Sequence, residues 1–268
     1  MPESLWNRAF ILCLFNNLFL FTYYFATLTI LPIYILQDLG GTVKEAGLAL
    51  TLFLLSSIAI RPFSGFIIEK LGKKLALRGA GAIFLLLAFA YIFIDSLWSL
   101  LLVRFLHGFW FSILTTVNVP MVNEFIPESR KGEGMGYFVM STNLGVVFGP
   151  LIALTAIQWM SFNHLFALLT IVTSIGYVFT LTLNVPEQEK NKVQQNNVLT
   201  WGDIVEVRVL GISMVALLTA FAYSSITSFI TAFAQSKNLL QYASLFFVVF
   251  AVSMIVVRPW VGKFYDQK

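Results

Sequence analysis

Eight long apolar runs restrict what this 268-residue chain can fold into more than any motif does. A helix rises about 1.5 Å per residue, so about 20 mostly apolar residues cross about 30 Å of hydrocarbon. The runs lie near residues 9–36, 43–68, 76–94, 98–122, 133–158, 163–184, 209–235 and 241–264. A membrane β-strand would instead show about ten residues of alternating character. The sequence therefore predicts an all-α polytopic membrane protein.

Composition and charge support the same class. Hydrophobic residues make up 58% of the chain and charged residues 11%, against about 25% charged residues in soluble domains. The net charge is +4, but the basic residues stand in short clusters between the apolar runs. Such clusters are typical of membrane topology signals and not of a nucleic-acid-binding face. The expected partner is the lipid bilayer, and nucleic acid is not a partner.

The distribution of lysine and arginine predicts the orientation of the chain. With a cytoplasmic N-terminus, most basic residues outside the apolar runs lie on the cytoplasmic side, and only Lys44 and Lys237 lie on the other. This is the positive-inside pattern. The first run is too long for the core of a signal peptide, so we expect it to remain as the first span. The prediction is a multi-pass protein of the cell membrane with its N-terminus in the cytoplasm.

A stretch that begins with Arg61 and Pro62, at the end of the second run, occurs twice in the chain. The second copy lies 197 positions later (258 − 61 = 197) and contains Arg258, Pro259, Gly262 and Asp266. The polar stretch 186–208 separates six apolar runs from two and is predicted to be a cytoplasmic linker. Residues 1–185 then form an N-terminal six-helix bundle, and residues 209–268 contain the first two helices of an incomplete second bundle.

Six runs, a linker and a restarted pattern resemble the major facilitator superfamily, whose twelve helices form two six-helix halves. The resemblance covers the whole chain but only two thirds of that fold. The stretch after the second run is similar to the signature loop of the family, with glutamate in place of the usual aspartate. Its matching residues are Gly65, Glu69, Lys70, Gly72, Lys73 and Lys74. The resemblance implies a gating loop in which the acid exchanges ion-pair partners.

Several physical expectations follow for this gating loop. Gly65 should let another helix approach closely, and Gly72 should form a turn that most residues cannot adopt. Glu124 lies in the link between the fourth and fifth runs, which resembles that of bacterial drug:proton antiporters. We expect Glu124 to pair with Arg61 or with the basic residues of the loop. The alternative interpretation is that the lysines only enforce topology.

The fourth run contains Arg104 and His107, in a segment similar to a second motif of the family. An arginine at this depth costs about 2.5 to 3.5 kcal/mol on insertion scales, so it normally faces a partner or a water-filled cavity. His107 replaces the usual glutamine one helical turn away. No acidic residue lies in the middle of a run, so proton coupling rests on His107, on helices outside this sequence, or is absent. Polar residues of the first run that can hydrogen-bond a substrate complete the predicted pathway: Asn16, Asn17 and Tyr23.

The fifth run contains Gly145, Gly149 and Pro150. Two glycines four residues apart permit close helix contact, and proline interrupts a backbone hydrogen bond, so the pattern also occurs in general helix packing. At this position it resembles the family motif that is associated with exporters. The resemblance therefore favours export over uptake.

No enzyme constellation is present. The chain lacks a metal-ligand spacing and a phosphate-binding glycine loop, so we expect neither an enzyme nor a cofactor. The predicted function is secondary-active export of small amphipathic molecules by alternating access, with the proton as the candidate coupling ion. The alternative is a membrane binding or regulatory module that folds without transporting, which the four missing helices of the family fold would support.

Overall fold

A computed structural model describes residues 4–185, 207–237 and 240–267. Helices lie at all eight predicted positions, and no strand occurs in these three ranges, which confirms the predicted all-α class. The helices are α1 (Arg8–Gln37), α2 (Val43–Leu71), α3 (Lys73–Ala90), α4 (Leu97–Glu124), α5 (Lys131–Ala156), α6 (Phe162–Thr182), α7 (Leu210–Ser236) and α8 (Leu240–Asp266). Short 3-10 turns occur at Tyr91–Phe93, Glu128–Arg130 and Val207–Val209. Helices α1 to α6 are each long and apolar enough to cross a membrane.

Polar side chains mark the ends of several helices. Asn7 caps α1, because its side-chain oxygen accepts a hydrogen bond from the Phe10 nitrogen at 2.9 Å. Its amide also donates to the Phe125 carbonyl at 2.7 Å, which ties the start of α1 to the end of α4. At the start of α2, Thr42 and Glu45 form a reciprocal capping box.

The first six helices form one bundle. Helix α1 packs against α5 and α6, whereas α4 packs against α2 and α3, and α3 also contacts α6. Arg78 of α3 reinforces the α3–α6 contact, because its Nη2 donates to the Leu181 carbonyl at 2.8 Å, at the C-terminal end of α6. A cation at this end of a helix also interacts favourably with the helix dipole.

Glycines allow the closest helix contacts in the bundle. A Cβ atom added to Gly145 of α5 would lie 2.7 Å from the Cβ of Phe21, and one added to Gly149 would lie 2.7 Å from the Ala26 nitrogen. Both positions face α1, and Pro150 follows inside α5. A Cβ added to Gly108 of α4 would collide with the Phe53 carbonyl of α2. Small residues at such contacts let backbones approach and gain van der Waals energy.

The contacts divide the chain into two compact units. One comprises Met1–Glu189 together with Ile255–Lys268, and the other comprises Lys190–Met254. The end of α8 therefore belongs to the same unit as the six-helix bundle. The predicted division at the linker stays a prediction, because residues 186–206 lie outside the described residues.

Candidate functional site

The gating loop predicted between α2 and α3 is a connection of a single residue. Helix α2 continues through Glu69 and Lys70 to Leu71, and α3 begins at Lys73. Gly72 alone makes the turn, with a φ of 84°. Only glycine adopts this φ readily, so a side chain here would strain the backbone. Glu69 and Lys70 therefore belong to the last turn of one helix, and Lys73 and Lys74 to the first turn of the next.

One ion pair links this connection to α4. Lys73 Nζ pairs with Glu124 Oε1, and the two side chains are 22% and 21% exposed. Glu124 was expected to pair with Arg61 or with the basic residues of the loop, and the structure shows the pair with a basic residue of the loop. Arg61 instead donates from Nη2 to the Thr115 hydroxyl at 3.2 Å. The Arg61 contact joins α2 to α4, and the Lys73 contact joins the start of α3 to the end of α4.

The close helix approach expected at Gly65 is not found. No atom of the described residues lies within 4 Å of a Cβ added there, because this face of α2 is exposed. Glu69, Lys70 and Lys74 likewise make no ion pair with any residue in ranges 4–185, 207–237 and 240–267. The expected exchange of Glu69 between basic partners is therefore not visible in this conformation.

The second copy of the motif, at the end of α8, has a partner. Asp266 Oδ1 accepts a hydrogen bond from the Gly132 nitrogen at 2.6 Å, and Oδ2 accepts one from the Glu133 nitrogen at 2.8 Å. These nitrogens lie in the first turn of α5, where helix N–H groups lack intrahelical acceptors and a negative charge is favourable. Asp266 occupies the position in the second copy that Glu69 occupies in the first. We refer to this junction as the α5–α8 contact.

Glu133 and three glycines complete the α5–α8 contact. The Glu133 side chain is 5% exposed and pairs with Arg130 Nη2 at 2.6 Å and with Lys263 Nζ at 3.3 Å. The backbones touch because three positions lack side chains: Gly132, Gly136 and Gly262. A Cβ added to Gly136 would lie 2.8 Å from the Arg258 carbonyl. Gly262, the counterpart of Gly65, therefore provides the close approach that Gly65 does not.

Arg104 is buried inside the bundle. Only 1% of its surface is exposed, its Nε donates to the Ala49 carbonyl at 3.3 Å, and its guanidinium lies 4.2 Å from the centre of the Phe53 ring. Its Nη2 has no hydrogen-bond partner. No carboxylate among the residues described pairs with it. The sequence predicted that this arginine faces a partner or a water-filled cavity, and the contacts that the structure shows are with a carbonyl and an aromatic ring.

His107 lies beside Arg104 in a group of aromatic rings. Its surface is 0% exposed, and its Nδ1 lies 3.4 Å from the Tyr91 hydroxyl. The ring centres of Phe84 and Tyr23 lie 4.1 and 5.4 Å from that of His107. Neither His107 Nε2 nor Tyr23 Oη has a hydrogen-bond partner. We call this group the aromatic cluster, and its members are Tyr23, Phe53, Phe84, Tyr91, Arg104 and His107.

The two asparagines of the predicted pathway lie in other helix contacts. Asn16 Oδ1 accepts a hydrogen bond from Thr180 of α6 at 3.0 Å. Asn17 Nδ2 donates to Ser141 and Thr142 of α5 at 2.9 and 2.8 Å. Both asparagines therefore join α1 to its neighbours, and Tyr23 is the candidate of the first run that contacts His107.

The described residues contain no group of three or more His, Cys, Asp or Glu side chains that could hold a metal ion.

The sequence profile of the Major Facilitator Superfamily matches residues 13–268 of the chain. The chain belongs to this family. Its described helices include six that are long and apolar enough to cross a membrane, as expected of a multi-pass member of this family.

Two bacterial proteins are similar to parts of this chain. The quinolone resistance protein NorA of Staphylococcus aureus (strain Mu50 / ATCC 700699) is 28% identical over 144 residues, which are 54% of this chain and 37% of NorA. A Na(+), Li(+), K(+)/H(+) antiporter of Planococcus maritimus is 28% identical over 193 residues, 69% of this chain and 43% of the antiporter. The chain thus spans less than half the length of these relatives.

A solved structure shows the same fold. The crystal structure of a mutant of the peptide transporter POT, in complex with sulfate, superposes with a TM-score of 0.61 over 84% of this chain and 47% of POT. The sequences are 17% identical, so the likeness concerns the fold alone.

Three of the six residues of the aromatic cluster were not identified from the sequence. Phe53, Phe84 and Tyr91 come from α2, α3 and the turn that follows α3. The chain contains 27 Phe and 9 Tyr, and no local pattern separates these three from the residues that face lipid. The sequence also did not reveal Glu133, whose role depends on a lysine 130 positions away (263 − 133 = 130).

Proposed function

We propose that this protein is a secondary-active exporter of small amphipathic compounds, that it works by alternating access, and that protons drive it. NorA is named for quinolone resistance and the Planococcus protein for exchange of alkali cations with protons, which supports both parts of the proposal. The observation that carries it is the α5–α8 contact. There the repeated motif holds the start of one helix through a few polar bonds.

The polar bonds of the α5–α8 contact have the strength expected of a reversible latch. A carboxylate at a helix N-terminus contributes about 0.3 to 1 kcal/mol. Lys263 is 54% exposed, and an exposed ion pair contributes about 0 to 1 kcal/mol. A sum of this size can stabilise one conformation and still be overcome by substrate or ion binding, since ligands shift populations by their differential affinity.

The repeat suggests a second latch of the same kind. Gly65 and Glu69 occupy the positions of Gly262 and Asp266, and they are exposed on α2. In our proposal they receive the N-terminus of a helix in the same manner when the transporter changes conformation. Alternating access requires contacts at one end of the helices to break as others form.

Efflux from living cells tests the function. The protein is expressed from its native reading frame in cells that lack their own exporters, and the loss of preloaded ethidium and norfloxacin is followed. We expect efflux that stops when a protonophore collapses the proton gradient. Efflux that survives the protonophore would exclude proton coupling. An inserted protein that moves neither compound would support the non-transporting module.

A conservative variant tests the latch. Asp266→Asn keeps the shape of the side chain but removes the charge that stabilises the start of α5, so we expect slower efflux at unchanged protein abundance. Asp95→Asn is the matched control, because Asp95 is exposed in the turn before α4 and makes no ion pair among the described residues. Equal efflux by both variants would show that the α5–α8 contact has no part in transport.

The proposed orientation places the N-terminus in the cytoplasm of a plasma-membrane protein. Lys44 lies in the first turn of α2, and Lys74 lies beyond the other end of α2, in the first turn of α3, so a membrane-impermeant maleimide should reach only one of them from outside. On a Cys13→Ser background, we expect intact cells to be labelled at Lys44→Cys and not at Lys74→Cys. Permeabilised cells provide the control, since both positions should then react. The opposite pattern would reverse the topology.

A further inference from the structure

The aromatic cluster holds a positive charge that no described residue neutralises. Arg104 is 1% exposed, and its contacts are the Ala49 carbonyl and the face of Phe53. Burying an unpaired charge costs several kcal/mol, and natural proteins normally compensate it with a counter-charge. The Arg104 site therefore lacks the negative charge that its burial requires.

Three hydrogen-bonding atoms of the cluster are also unused. They are buried, they have no partner, and they come from three side chains: Tyr23 Oη, Arg104 Nη2 and His107 Nε2. Buried polar atoms are almost always satisfied, so three in one cluster indicate a bound group. The rings of Tyr23 and His107 lie 5.4 Å apart, and Arg104 lies one helical turn from His107.

All three atoms can act as donors. A guanidinium only donates hydrogen bonds, a tyrosine hydroxyl can donate its proton, and the Tyr91 hydroxyl can donate to His107 Nδ1, which lies 3.4 Å away. The neutral imidazole then carries its proton on Nε2. Arg104 Nη2 and the Tyr23 hydroxyl supply the other two donors. A site with one unpaired positive charge and three groups able to donate matches an anion better than a water molecule, because water carries no charge to balance Arg104.

We propose that the aromatic cluster binds a compact monovalent anion, chloride under physiological conditions. One negative charge balances the positive charge of Arg104, whereas sulfate or phosphate would bring more negative charge than the site can neutralise. Tyr23, Arg104 and His107 are between 0% and 2% exposed, so the carboxylate of an amphipathic substrate would reach them only if the helices separated, which favours a small ion. Bound anion stabilises the junction of α1, α2, α3 and α4. This inference is independent of transport.

Thermal unfolding of the purified chain in detergent tests the site. Cys13 is the only cysteine and is 1% exposed, so a thiol-reactive fluorophore reports unfolding as this residue becomes accessible. Sodium chloride replaces sodium gluconate at constant ionic strength. At about tenfold excess over the dissociation constant, we expect the unfolding temperature to rise by about 4 °C, and the rise to saturate. A temperature that is the same in both salts would refute the site.

Variants separate binding from general salt effects. Arg104→Met should abolish the chloride-dependent rise, and Tyr23→Phe should weaken it because it removes one donor. Arg78→Met is the matched control: it removes the bond to the end of α6 and lowers the unfolding temperature in both salts, but it keeps the chloride-dependent rise. A rise that persists in Arg104→Met would show a general ionic effect and overturn the proposal.

Other anions identify the chemical class. Bromide should reproduce the rise produced by chloride, since it has the same charge and a similar size. Acetate and benzoate should produce none, because their carboxylates are attached to groups that the closed cluster excludes. If the carboxylates produce an Arg104-dependent rise and the halides do not, the site recognises a carboxylate head group and the assignment to a compact inorganic anion is wrong.

Discussion

Replacing Gly108 with leucine is expected to prevent the six-helix bundle from forming its native packing. A Cβ at this position collides with the Phe53 carbonyl and the Ser56 hydroxyl of α2. Ser56 can rotate, but the Phe53 carbonyl belongs to the backbone of a helix and cannot move without shifting α2. Overpacking of this severity destabilises a protein by about 3 kcal/mol or more. The variant should show immediate labelling of Cys13 in detergent, whereas the wild-type thiol is protected until it unfolds.

Gly79→Leu is the matched control for this prediction. Gly79 lies in α3, another helix of the same bundle, and no described atom lies within 4 Å of an added Cβ. We expect this variant to unfold at the wild-type temperature. Equal protection of Cys13 in both variants would show that α2 and α4 do not approach each other at Gly108.

Replacing Arg104 with alanine is expected to reduce efflux to background when the protein is expressed from its native reading frame. Arg104 carries the charge of the aromatic cluster, and the variant leaves Tyr23 and His107 without an electrostatic partner. The loss should exceed any loss of protein abundance. Efflux rates normalised to the amount of inserted protein measure the effect.

Two further variants make the Arg104 result interpretable. Arg78→Ala removes an arginine that caps α6 outside the cluster, and we expect normalised efflux to remain. His107→Gln keeps hydrogen-bonding groups beside Tyr91 but removes the titratable ring, so the pH dependence of efflux should change. Efflux by Arg104→Ala at the wild-type rate would show that the cluster has no part in transport. An unchanged pH profile of efflux in His107→Gln would show that His107 has no part in proton coupling.

The predicted positions of the helices agree with the structure because each depends on local composition. An apolar run in lipid must satisfy its backbone hydrogen bonds internally, and only a helix does so within one segment. The glycines of α5 were also identified as contact residues from their spacing alone, and the structure places Gly145 and Gly149 against α1. Their association with export stays a prediction, since packing would require them in either case.

The gating loop shows the limit of local reasoning. The sequence indicated a basic turn, and Gly72 makes it, but the spacing could not show that one residue connects the two helices. It also left two partners open for Glu124. The choice of Lys73 depends on how α3 crosses α4, which is set by side-chain packing along both helices.

The sequence by itself determined the class of the protein, its helices and the repeat, because hydropathy and spacing act along the chain. Only the tertiary structure decided which copy of the repeat is engaged: Asp266 holds the start of α5, while Glu69 has no ion pair among the described residues. It also decided that Tyr23, Arg104 and His107 share one buried cluster, whereas Asn16 and Asn17 join helices. Hydrogen bonds and ion pairs between distant segments act over a few ångströms, and that proximity arises only when the helices pack.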